Sequence, residues 1–191
     1  MSGSLSLYSS YKGEITPAVP NVIARDFHTE QPNMKWLTDI TEFHIPAGKI
    51  YLSPIIDCFD GLPVSWTIGT SPDAELVNTM LDNAIGTLKD GEHPIIHSDR
   101  GEYYRWPGWI ERMENAKLTR SMSKKGCSPD NSACEGFFGR LKNEMFYGRS
   151  WKEVSIIVQE GASFFFELSG FFSGHLSYHL ISSYECYISI I

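Results

Sequence analysis

Lysine and arginine stop at Lys152: residues 153–191 contain neither, but carry four Glu. Cysteine is scarce as well. Cys58, Cys127, Cys134 and Cys186 form no C-x-x-C pair, which points away from a disulfide framework and towards free thiols in a reducing cytoplasm. A zinc site from Cys127, Cys134 and a remote His has the wrong spacing. The first ten residues are Ser-rich, with no basic stretch ahead of an apolar run, so they do not read as a secretory signal. A membrane span is also missing. The most apolar region is interrupted by Glu167, His175 and His179 before it reaches the needed length.

What remains is a chain of 191 residues, suited to one domain of moderate size with a real core. Its net charge of −7 argues against indiscriminate binding to nucleic acid, but the charge is unevenly placed. Residues 100–152 hold 11 Lys/Arg against 6 Asp/Glu, a net of +5, while residues 1–99 hold 5 against 13, a net of −8. A basic stretch of this kind is either a solvated face or the place where phosphates are held.

Residues 1–33 are polar, with Pro17, Pro20 and Pro32 and no sustained period, and read as a leader or arm. Residues 35–43, 49–59 and 63–69 read as three strands, separated by Pro46-Ala47-Gly48 and by the turn pair Asp60-Gly61. Ser71-Pro72-Asp73 opens a helix, with Ser71 as the expected cap and Leu76, Met80, Ala84 and Leu88 on its core face. A fourth strand over 94–98, a helix over about 102–115 with a weak start at Pro107-Gly108, and a fifth strand over 117–122 follow. A polar loop over 123–130 leads to a helix over 131–146, with Asp130 as its expected cap. Cys134, Phe137, Phe138, Leu141 and Met145 form its apolar face, and Glu135, Gly139 and Lys142 share another.

Three carboxylates stand out against this pattern. Asp99 ends the fourth strand in His97-Ser98-Asp99-Arg100-Gly101. Asp39 sits inside Trp36-Leu37-Thr38-Asp39-Ile40-Thr41, on the same strand face as Leu37 and Phe43, where a lone anion is costly. Glu135 follows Asp99 after 35 intervening residues, on the last helix. Two strand acids and one helix acid can converge on a pair of divalent ions. Asp57 and Asp60 are rivals for the first position, but Asp60-Gly61 is explained by a turn and Asp57 by a strand end. His97 shares a strand face with Asp99 and reads equally as a structural histidine. Trp106, Trp109 and Trp151 could stack on bases, with core packing the simpler reading of each.

These words resemble the catalytic core of retroviral integrases and of the bacterial insertion-sequence transposases most similar to them. The likeness also takes in Tyr51-Leu52-Ser53-Pro54-Ile55-Ile56-Asp57, Ser123-Lys124-Lys125-Gly126, Asp130-Asn131-Ser132-Ala133, Phe137-Phe138 and Leu141-Lys142, and covers roughly residues 10–152. It implies a ribonuclease H-like α/β fold, a mixed five-stranded sheet flanked by helices, with 34–152 as the core between the arm and an atypical tail. It implies a DDE-type polynucleotidyl transferase that cuts and joins DNA for transposition. Asp39, Asp99 and Glu135 would be the catalytic acids and would hold two Mg²⁺ or Mn²⁺ ions, Asp39 bridging both. Lys142 would contact DNA near the cut, with Lys124, Lys125 and Arg120 as further contacts. Transposon-end and target DNA, and further copies of the chain, are the implied partners, with no membrane and a cytoplasmic, nucleoid-associated location.

The family usually has a DNA-recognising helical domain ahead of this core, which the first 33 residues are too short to supply. It also usually continues with another charged helical segment, where residues 153–191 instead carry Phe164-Phe165-Phe166 and Phe171-Phe172 and read as an out-of-frame or replaced end. Two alternatives follow: an inactive DNA-binding remnant, or a ribonuclease H-like nuclease.

Overall fold

The computed structural model describes residues 15–148. The first part of the arm, Trp151 and the tail at 153–191 lie outside these residues, as does the Met145 side chain.

The sheet is built from β1 (Lys35–Thr38), β2 (Thr41–Ile45), β3 (Gly48–Asp57), β4 (Pro63–Gly69), β5 (Ile95–Ser98) and β6 (Thr119–Met122). Its order is β2-β3-β1-β5-β6, with β4 on the far side of β3. β5 runs parallel to both β1 and β6, and the remaining pairs are antiparallel. The expected strand over 35–43 is therefore counted as two. Its register against β3 is nonetheless continuous: Thr38 faces Ile55 and Thr41 faces Leu52, three residues further along each strand. The break falls at Asp39 and Ile40, which this register sets opposite Pro54 and Ser53. Proline has no N–H to give a ladder, and it weakens the pairing there.

Side-chain alternation divides the core into two layers. Trp36, Ile55 and Ile96 pack beneath α1 (Ala74–Gly86) and α2 (Pro107–Asn115), with Met80, Leu81, Trp109 and Met113. Leu37, Phe43, Ile50, Leu52 and Ile56 point to the other face, where α3 (Ser132–Leu141) covers them with Cys134, Phe138 and Leu141. Trp106 and Trp109 are buried core residues.

Three local expectations change. Asp73, not Ser71, caps α1: its Oδ1 accepts the Leu76 amide at 3.0 Å. The helix expected from Glu102 is a 3₁₀ turn, Glu102–Arg105, and α2 starts afresh at Pro107, whose fixed φ suits the first helical position. Asp130 is not the cap of α3. It lies inside a 3₁₀ turn, Ser128–Asn131, and Asn131 takes the cap position without a capping side-chain bond. Beyond α3 the chain continues as a π-helical turn, Lys142–Phe146.

Residues 15–33 lie along the sheet. The Thr16 amide donates to the Arg105 carbonyl at 3.2 Å, and the Met122 amide to the Pro20 carbonyl at 3.3 Å. Ile23 is buried. This covers the outer edge of β6, which would otherwise present unpaired backbone groups.

Candidate active site

The parallel strands β1 and β5 end at the same edge of the sheet, and this places Asp39 and Asp99 side by side. Each carboxylate follows the last residue of its strand by one position. Glu135 comes to this edge from α3, on the face that also carries Asp39.

Asp39 is half-buried. Its Oδ1 accepts the Ile40 amide at 2.7 Å, the donor released by the break in the strand, and its Oδ2 accepts Asn131 Nδ2 at 2.9 Å. Burial, and after it the Asp99 carboxylate, push the Asp39 carboxyl up to about 6; Glu135 adds to the rise, while the two hydrogen bonds oppose it. Asp39 thus feels both other acids. Asp99 is held by its own turn, its Oδ1 accepting the Gly101 amide at 2.8 Å. A Cβ on Gly101 would stand 2.8 Å from the same oxygen, so glycine is needed there for close approach. Beneath the two aspartates lies Tyr104, fully buried, whose hydroxyl is pushed well above its ordinary pKa by burial and then by Asp39.

Glu135 is exposed on the first turn of α3. Among the described residues no three His, Cys, Asp or Glu side chains are drawn together tightly enough to hold a metal ion. The donor chemistry nonetheless fits a hard divalent cation, since all three groups offer carboxylate oxygen; after burial, the charges of Asp99 and Glu135 also raise the Asp39 carboxyl. The rivals are placed elsewhere. Asp57 pairs with Trp36 at the opposite end of β1 and accepts the Asn33 and Phe59 amides; Asp60 accepts the Leu62 amide within its turn.

The basic residues separate. Lys142 lies on the α3 side, its Nζ 5.4 Å from the centroid of the Phe43 ring. Lys124 and Lys125 are exposed in the loop after β6. Arg120 pairs with Ile96 across the β5–β6 ladder and so projects from the α1/α2 face, where its Nη2 donates to the Tyr104 carbonyl at 3.3 Å. It is not brought together with the acids. A face above α3 is left clear at Gly139, where a Cβ would meet nothing within 4 Å.

The family model for the integrase core domain matches residues 29–128. The chain belongs to the integrase core family. The matched span includes Asp39 and Asp99 and ends short of Glu135. Among the relatives of this integrase core, the probable transposase of insertion sequence element IS1353 from Shigella flexneri is 71% identical over 149 residues, covering 78% of this chain and 29% of the relative. The putative transposase InsK of IS150 from Escherichia coli K12 is 42% identical over 148 residues, covering 78% of this chain and 52% of the relative. The chain therefore spans under a third of the first and about half of the second.

A chain of the simian T-cell lymphotropic virus intasome, solved with the PP2A regulatory subunit B56 gamma, superposes with a TM-score of 0.55 at 20% identity, over 68% of this chain and 44% of that one. The HTLV-2 integrase catalytic core domain, solved in complex with magnesium, gives 0.50 at 21% identity, over 61% and 71%. At these identities the likeness is one of fold, and the fold is ribonuclease H-like.

Sequence reasoning missed Asn131 and Gly101 as parts of the site. Asn131 precedes Glu135 by four residues, one helical turn, which was a usable signal. Gly101 follows Asp99 by two residues, the reach of an Asx turn.

Cys58, Cys127 and Cys134 are free thiols. Burial pushes the Cys58 thiol up to about 12 and that of Cys134 well above its usual value, which leaves both unreactive. No helix among the described residues is long and apolar enough to cross a membrane.

Proposed function

We propose that this integrase core carries out DNA transposition by metal-dependent phosphodiester cleavage and strand transfer. The observation that carries the reading is the parallel register of β1 and β5, which pairs Leu37 with His97 and so sets Asp39 and Asp99, two positions further on, at the same end of the sheet. The relatives named as transposases support the substrate class, and the magnesium of the HTLV-2 core supports the cofactor class.

Asp39, Asp99 and Glu135 would hold Mg²⁺ or Mn²⁺. A pair of such ions, when bound, supplies the positive charge needed by the attacking and leaving oxygens of an in-line phosphoryl displacement. The chain's own contribution is placement. The Ile40 amide and the Asn131 side chain aim the two oxygens of Asp39, and the Gly101 amide fixes Asp99. Asp39 acts in its ionised form, because a protonated carboxyl is a poor ligand. Lys142, on the α3 side, and Lys124 and Lys125, exposed in the loop after β6, would take phosphates and align a DNA end with the acids. The transferase acts on transposon ends and target DNA, as a homo-oligomer assembled on them.

The test is a strand-transfer assay with a 3′-hydroxyl donor duplex and a target duplex in Mg²⁺, comparing the chain with Asp99→Asn. Joined products that vanish in the variant support the reading. Cleavage without joining would make the protein a ribonuclease H-like nuclease. DNA binding with neither reaction would make it an inactive remnant.

A further inference from the structure

Asp130 is tied down from four directions. Arg25 Nε donates to its Oδ1 at 2.6 Å, Asn21 Nδ2 to its Oδ2 at 2.9 Å, the Lys124 amide to Oδ2 at 3.0 Å, and the Cys127 thiol to Oδ1 at 3.4 Å. Its side chain is 2% exposed. The bond from Arg25, followed by that from the Lys124 amide, holds its carboxyl well below the ordinary range. Two of these four donors belong to the segment ahead of the sheet, more than a hundred residues earlier in the chain.

The same segment reaches Asp130 by a second route. The Val22 and Ile23 amides donate to Ser121 Oγ at 2.9 and 3.3 Å. The Ser121 hydroxyl stands 2.9 Å from His97 Nδ1, and His97 Nε2 stands 3.0 Å from the Asp130 carbonyl. A carbonyl can only accept, so Nε2 carries the proton and Nδ1 accepts from Ser121. Both the side chain and the backbone of Asp130 are thus fixed from residues 21–25.

Directly after Asp130 comes Asn131, whose Nδ2 donates to Asp39. The orientation of this amide is decided by its partner: a flip would set its oxygen against a carboxylate. Its Oδ1 is buried without a partner, so no second bond holds the amide in place and its aim depends on the backbone that carries it. That backbone is the turn clamped at Asp130. The clamp is itself strained. Ala24 and Arg25 have φ of +52° and +70°, left-handed values that cost a side-chain-bearing residue energy, and Asn21 Oδ1 accepts the Ala24 amide at 2.8 Å to stabilise the bend. The bend is what delivers the Arg25 guanidinium to Asp130.

We propose that residues 21–25 are a working part of the active site: they clamp Asp130, and through it position the Asn131 amide that aims Asp39. Arg25 and Asn131 are then positioning residues for Asp39, Asn131 directly and Arg25 through Asp130. The inference rests on Asp39 being a metal-binding carboxylate, as read above.

The test uses the full chain, with Mn²⁺ alone as the probe, titrated by calorimetry and paired with thermal melting. Removing a group that orients a ligand typically lowers metal affinity by about tenfold or more, so Asn131→Ala should bind Mn²⁺ about tenfold more weakly. Arg25→Ala should lose several-fold, and Arg25→Lys should recover part of the loss. Because Arg25 acts through Asp130, adding Arg25→Ala to Asp130→Asn should cause little further loss, the non-additivity expected of a coupled pair. Arg25→Gln, which keeps a donor without the charge, serves if the alanine variant unfolds.

Asp99→Asn separates the two levels of the argument. If it loses Mn²⁺ while Arg25→Ala and Asn131→Ala bind like the unmodified chain, the clamp is refuted and the metal site stands. If Asp99→Asn itself binds normally, the metal site is refuted and the clamp's role falls with it. A lower melting temperature with unchanged Mn²⁺ affinity in Arg25→Ala, or fully additive losses in the double variant, also refutes the clamp.

Discussion

The Gly101 amide donates to Asp99 Oδ1 at 2.8 Å, and a Cβ on Gly101 would stand at the same distance from that oxygen. One residue thus both holds the carboxylate and leaves room for it. Gly101→Ala should push Asp99 aside while keeping the backbone conformation, since φ at Gly101 is −50° and open to any residue. The expected result is a loss of strand transfer of about tenfold or more, with a change in fold stability of about 1 kcal/mol or less. Transfer at the unmodified rate would mean that the Asp99 carboxylate has no fixed role.

Asp39 carries the clearest pH signature. Its carboxyl titrates at about 6 when folded, against an ordinary value of 3.8. Between these values the folded chain holds a proton that the unfolded chain has released. Stability from this group is therefore complete below about pH 4 and lost as pH rises through about 6. Asp39→Asn removes the effect, so it should stabilise the fold at pH 7–8 by about 1–3 kcal/mol and leave it almost unchanged at pH 4. Urea melts at the two pH values give the comparison. The same variant should lose strand transfer. Greater stability with lost function is the expected trade at a site of crowded like charge.

The elements that carry Asp99 and Glu135 were readable from sequence as a strand end and an amphipathic helix, whereas Asp39, expected inside a strand, lies just past the end of β1. The alternation that sets Leu37 and Phe43 on one strand face holds, since both pack in the layer under α3. What was not readable depended on register and on backbone angles. Arg120 looks like any other basic residue in a basic stretch; only its pairing with Ile96 shows that it faces α1 and α2. Ser71 and Asp73 are both good caps, and the backbone of Asp73, at φ −121° and ψ −177°, decides between them. Asp130 had the chemistry of a cap, but its carboxylate is taken by Arg25 and Asn21, from a segment that sequence treats as an arm. Pro54, inside an apolar strand, was the one local sign that the ladder opens opposite Asp39.

His97 joins the centre of the sheet to the turn before α3. Its ring meets the Ser121 hydroxyl at 2.9 Å, the Ser123 hydroxyl at 3.2 Å and the Asp130 carbonyl at 3.0 Å. His97→Leu keeps the bulk and leaves these buried groups without the ring, a loss of about 2–3 kcal/mol, read as a lower melting temperature. Burial lowers the His97 pKa from its ordinary 6.5. The unfolded chain therefore takes up a proton first as pH falls, and this group's stability is present above about 6.5 and lost on acidification. Its slope is opposite in sign to that of Asp39. Melts of the His97→Leu and Asp39→Asn variants across pH 4–8 should separate the two; slopes of the same sign would contradict the assignment.

Lys142 stands over Phe43, four residues along the same strand face from Asp39, with its charge 5.4 Å from the ring centroid. Arg120 is turned under the opposite layer, where burial lowers its pKa and its guanidinium bonds the Tyr104 carbonyl. Lys142→Ala should weaken DNA binding across sequences and reduce the slope of log affinity against log salt by about one. The cation–π contact with Phe43 accounts for about 0.5–1 kcal/mol at a partly exposed site, so the fold should survive the change. Arg120→Ala should do the reverse: an unchanged salt slope, with a lower melting temperature because Tyr104 loses a partner and a buried side chain is truncated. Fluorescence anisotropy with a labelled duplex over a salt series measures both slopes. If Arg120→Ala reduces the slope as much as Lys142→Ala, DNA lies across the α1/α2 layer and the acids at the sheet edge are not where it is cut.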